Sequence, residues 1–73
     1  MQGAAAVPRL TRLREIRESR FLTQGELAER SGVSRQTINR IEQGDIEPRF
    51  RTIRQLARAL DIEPAELVVP TEG

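Results

Sequence analysis

Between Gln24 and Gln43 the chain reads QGELAERSGVSRQTINRIEQ, two short amphipathic segments joined at a single glycine, and this stretch restricts it to folds in which one helix turns sharply into another. Thr23 stands three residues before Glu26. That is the spacing of a capping box, in which each side chain satisfies an otherwise orphaned backbone N–H, so a helix is predicted to start at Gln24. It carries Leu27 and Ala28 inward and ends at Gly32, where the absence of a Cβ permits φ > 0. Val33 turns inward and Ser34 supplies a second N-cap. Ile38 and Ile41 then form one apolar stripe, leaving Arg35, Gln36, Thr37, Asn39 and Arg40 outside it on a face rich in hydrogen-bond donors.

The flanking sequence predicts three more helices. Leu10, Leu13 and Ile16 recur at three-residue spacing and mark a first helix from about Arg9 to Arg20, with Pro8 at or just before its first turn. After Gly44 a loop ends at Pro48, and Phe50, Ile53, Leu56, Ala57 and Leu60 mark a fourth helix. Ile62 leads into a fifth, with Pro64 at its first position, Glu66 in the first turn, and Leu67 and Val68 closing the core. Strand-like alternation is absent. The expectation is an all-α, five-helix bundle over residues 9–68, flanked by a flexible arm (1–8) and a flexible tail (69–73).

Seventy-three residues allow one small core, and the absence of cysteine and histidine leaves apolar packing to hold it. The same absence excludes a His/Cys zinc site, and we expect no metal and no cofactor. With no tyrosine either, and with carboxylates mostly paired in sequence with arginines, no nucleophile and base can be assembled, so an enzyme is not expected. The N-terminal MQGAAAVPRL has neither a basic n-region nor a long apolar run, which predicts no membrane association and a cytoplasmic protein. The net charge of +1 says little, but its distribution says more. All twelve cationic residues are arginines between Arg9 and Arg58, against seven carboxylates in residues 1–60, leaving that segment at +5. Arginine suits bidentate contacts to phosphate and guanine, although a compositional bias of the genome would produce the same usage.

Two short helices joined at Gly32 form the helix-turn-helix pattern, which points to DNA. With Gln24, Leu27, Ala28, Gly32, Val33, Ile38, Ile41, Glu42 and Gly44 in register, followed by Pro48, Ile53, Leu56, Ala57 and Leu60, residues 10–68 resemble the phage lambda-type repressor and Cro family, which includes the xenobiotic-response-element regulators. The resemblance implies a sequence-specific regulator of transcription, a repressor, with its third helix (about 35–43) in the major groove of double-stranded DNA. It implies base contacts by Arg35 and Gln36, with Arg40 one turn further along, and phosphate contacts by Gln24, Ser34, Thr37, Asn39 and Arg49. It also implies an internal salt bridge between Arg17 and Glu42, making those two residues structural along with Gly32. Elementary chemistry agrees: arginine can pair with guanine O6 and N7, glutamine with adenine N6 and N7, and helix N-termini at Gln24 and Arg35 favour phosphate.

Each role has a plainer alternative. Arg40 and Asn39 could be solvated residues on an exposed helix face, and Gln24 could only continue the capped turn. The same fold also serves antitoxins and protein-interaction subunits, so that function stands as the alternative to a repressor. One recognition helix reads too few base pairs to be found in a genome, so a homodimer on a palindromic site is expected, with Ile46, Val68 and Val69 as its interface. No small-molecule ligand is evident. Three positions depart from the family pattern. Phe21 replaces the usual glycine or asparagine, suggesting that helix one ends by apolar contact and not by a left-handed cap. Asp61 stands where glycine often ends helix four, and Gly25 weakens helix two by up to ~1 kcal/mol.

Overall fold

Helices form at each of the five places where the apolar spacing predicts them. Residues 11–67 are described by the structure, a computed structural model. They contain α1 (Thr11–Ser19), α2 (Gln24–Ser31), α3 (Arg35–Gln43), α4 (Phe50–Leu60) and α5 (Pro64–Leu67), with no strand among them. The expected arm and tail, the first two residues of the predicted helix one, Val68 and Val69 lie outside the described residues.

The helices close into a ring around one core: α4 packs on α2, α2 on α3, α3 on α1, α1 on α5, and α5 back on α4. Leu13, Leu27, Ile38, Leu56, Leu60 and Leu67 are fully buried, and Leu22, Val33, Ile41, Ile53 and Ala57 complete the core. A fully buried side chain of this size contributes ~1.5–3 kcal/mol relative to exposure, so the apolar driving force is spread over all five helices. Ile16, Ala28, Ala59 and Ile62 pack around the edge. No helix among the described residues is long and apolar enough to cross a membrane.

Two expectations are corrected. Phe21 does adopt a left-handed conformation, at φ 56°, and its ring is 91% exposed, so it makes no apolar closure. Its N–H donates to Glu18 O at 2.9 Å and that of Leu22 to Arg17 O at 3.2 Å, the paired bonds of a Schellman ending. The apolar contact of that motif comes from the next residue, Leu22, which is buried and which sequence reasoning had passed over. Phe50, expected in the core stripe of α4, is 71% exposed. It is the first residue of the helix, one turn before Ile53, and on that face the core ends at Ile53. Asp61 closes α4 in the left-handed region at φ 59°, with Ile62 N–H donating to Ala57 O at 3.0 Å.

Candidate DNA-reading surface

Local chemistry sets the geometry of α2, the turn and α3 at every joint. Thr23 Oγ1 accepts from Glu26 N–H at 3.0 Å while Glu26 accepts from Thr23 N–H at 2.8 Å, so the capping box is complete. The Thr23 main-chain N–H, and after it the Thr23 side chain, hold the Glu26 carboxyl below its ordinary range. Gly32 ends α2 at φ 78°, its N–H donating to Ala28 O at 2.9 Å. Ser34 then caps α3 by accepting from Thr37 N–H at 3.1 Å. The caps engage the third amide of each helix. The main-chain N–H groups of Gln24, Gly25, Arg35 and Gln36 have no internal acceptor among the described residues, and they sit at the positive ends of two helix dipoles.

Arg35, Gln36 and Arg40 are exposed on α3, and Arg35 and Gln36 share a shallow depression with Gln24 and Asn39. Thr37 and Asn39 are half-buried. Ser34 Oγ donates to Thr37 Oγ1 at 2.8 Å, which leaves the Thr37 hydroxyl proton as the free donor of that pair. Arg49 is exposed as the N-cap of α4 and gives that helix no side-chain cap, so its first amides also lack side-chain acceptors.

Behind this surface lies the ion pair expected from the resemblance. Arg17 Nε donates to Glu42 Oε2 at 2.7 Å and Nη2 to Oε1 at 3.0 Å, joining α1 to α3, while Nη1 donates to Leu22 O at 2.8 Å. The hydrogen bond to Glu42 raises the Arg17 pKa, so the guanidinium stays charged despite its burial. Sequence reasoning missed what extends from the pair. Gln24 Nε2 donates to Glu42 Oε1 at 3.0 Å and Asn39 Oδ1 at 3.3 Å, and Gln43 Nε2 donates to the same Oδ1 at 3.3 Å. The i, i+4 spacing of Asn39 and Gln43 was the available signal for the last contact. Both Gln24 amide protons are thereby engaged within the protein, and the donor left to that residue is its main-chain N–H.

Comparison with known proteins agrees with this fold. The helix-turn-helix family pattern matches residues 13–67. An HTH-type transcriptional regulator of Methanothermobacter thermautotrophicus is 48% identical over 56 residues, covering 77% of this chain and 81% of the relative. Among solved structures, the restriction-modification controller protein C.AhdI from Aeromonas hydrophila superposes with a TM-score of 0.76 at 43% identity, covering 80% of this chain and 88% of that one. The P22 c2 repressor, solved in complex with a synthetic operator, superposes with a TM-score of 0.73 at 29% identity over 80% of this chain and 88% of its own. The chain belongs to the helix-turn-helix family, a class of DNA-binding transcription regulators and not of enzymes.

Proposed function

We propose that the protein is a cytoplasmic repressor that binds a palindromic operator as a homodimer, with α3 of each copy in the major groove. The observation that carries this reading is the first turn of α3, where Arg35 and Gln36 project donors, beside main-chain amides, that have no acceptor among the described residues. Arg35 and Gln36 read base edges, and Arg40 reaches a base one turn further along. Gln24 holds phosphate through its main chain, and Thr37, Asn39 and Arg49 hold it through their side chains. Ser34 fixes Thr37 and adds a main-chain contact.

The dimer surface includes Ile46, and the exposure of Phe50 adds a large apolar side chain close by in sequence. Val68 and Val69, proposed for the same interface, lie outside the described residues. A patch this small fits a pair completed on DNA more than one stable in solution.

A randomised-duplex selection at two salt concentrations tests the reading. It should return a palindrome with half-site centres ~34 Å apart and an affinity that falls steeply with salt. A site without sequence preference would remove base reading. Sedimentation showing one protein per duplex at saturation, on a non-palindromic site, would remove the dimer.

A further inference from the structure

The hydrogen bonds around Glu42 have a direction, and it runs outward to the DNA-facing surface. Glu42, as the carboxylate of an ion pair, can only accept, and it accepts from Arg17 on both oxygens and from Gln24 on Oε1. The end of the Gln24 amide that faces it must therefore be nitrogen. That nitrogen carries a second proton, which meets Asn39 at 3.3 Å, so the Asn39 atom there must be oxygen. Gln43 donates to the same oxygen at 3.3 Å and fills its other lone pair. Amide ends are hard to tell apart by shape. Here the charge on Arg17 dictates each orientation in turn, through Glu42 and Gln24 to Asn39. Asn39 Nδ2 is left with no internal acceptor among the described residues, on a half-exposed residue that lines the depression shared with Gln24, Arg35 and Gln36.

We infer that Asn39 is a donor-only contact to DNA, its Nδ2 bonding an acceptor atom, and that Gln24 is the positioning residue that makes it so. The inference rests on the proposed docking of α3 and deepens it. An asparagine free to present both ends pairs with adenine through N6 and N7. With Oδ1 already doubly occupied, Asn39 cannot accept from adenine N6 or cytosine N4. The partners that remain are guanine O6 and N7, thymine O4 and phosphate oxygens; adenine keeps only N7, an acceptor it shares with guanine, and so gains no preference of its own.

The experiment is a binding profile over single-base variants of a selected operator, measured for the parent, Asn39→Ala, Gln24→Leu and Gln43→Ala, with a thermal melt of each. Sequence-selective binding by the parent tests the docking itself; the variants test the inference. If the acceptor is a base, Asn39→Ala should abolish a preference of about tenfold for guanine or thymine at one position of each half-site. Gln24→Leu frees one lone pair of Asn39, which can then accept from adenine N6, and should raise the affinity for adenine at that position while the other positions keep their preferences. Gln43→Ala, an exposed change that does not endanger folding, should move the same position in the same direction by a smaller factor. If the acceptor is a phosphate, Asn39→Ala and Gln24→Leu should each lower affinity several-fold for every sequence, and together by no more than Asn39→Ala alone. The inference is overturned if the parent prefers adenine and Asn39→Ala removes that preference, if Asn39→Ala changes nothing, or if both Gln24→Leu and Gln43→Ala leave the profile and affinity at parental values.

Discussion

Four helix ends in this molecule share one backbone geometry but not one residue type. Gly32 and Gly44 close the two helices of the reading unit at φ 78° and 77°, whereas Phe21 and Asp61 close α1 and α4 at φ 56° and 59°. Gly44, Phe21 and Asp61 make the same paired backbone hydrogen bonds, so the turn is required by chain reversal and carbonyl satisfaction, not by glycine itself. A Cβ in this region costs ~1–2 kcal/mol, and the two scaffold ends offset that cost with contacts made by the following residue. Leu22 enters the core and presents its carbonyl to Arg17, and Ile62 packs against the core edge. At the reading unit glycine removes the strain, and α3 is placed by unstrained joints.

The largest expected effect lies where the strained end of α1 meets the ion pair. Arg17→Leu or Glu42→Leu alone leaves a buried charge without its partner and should cost ~3–5 kcal/mol, close to the whole stability of a bundle this small. The double variant should recover part of that loss. Urea unfolding of the full cycle measures the coupling, and a value of zero would make the pair incidental and leave the Phe21 turn unexplained.

Substitutions at the helix ends test the comparison itself. Gly32→Val should lower stability by more than ~1 kcal/mol through strain at positive φ. Phe21→Gly should raise it by up to ~1 kcal/mol, because the relieved strain exceeds the added freedom of the unfolded chain. Thermal melts decide both. Equal destabilisation by the two changes would show that Phe21 contributes a contact its exposure does not reveal.

The smallest effect is one of pH. Glu26 is held below its ordinary value of 4.5 by the hydrogen bonds to Thr23. Its contribution is therefore complete above that value and lost as pH falls through the lower folded-state pKa. In acid melts below pH 4.5 the parent should lose stability more steeply than Glu26→Gln, which keeps the box without titrating. Parallel curves would mean that the capping box contributes no pH-dependent stability to the reading unit.

Much of this was legible in the sequence because the signals were local and redundant. The capping residues Thr23, Glu26 and Ser34, the glycines at 32 and 44, and the stripe Ile53, Leu56, Ala57, Leu60 each specify an element without reference to the rest. Phe21 and Phe50 misled for one reason: hydrophobicity predicts burial only where there is a core to enter, and both stand past its edge. The amide network was not legible because Gln24 and Asn39 meet across two helices, and their polarity descends from an arginine on a third.

The central claim is that the first turn of α3 reads bases. A randomised-duplex selection repeated with Arg35→Ala and with Gln36→Ala tests it most directly. Each variant should lose ~1–3 kcal/mol of binding and relax preference mainly at one position of each half-site, while the rest of the palindrome persists. A uniform loss of affinity across all sequences, with the preference profile intact, would contradict the claim and reduce both residues to phosphate contacts.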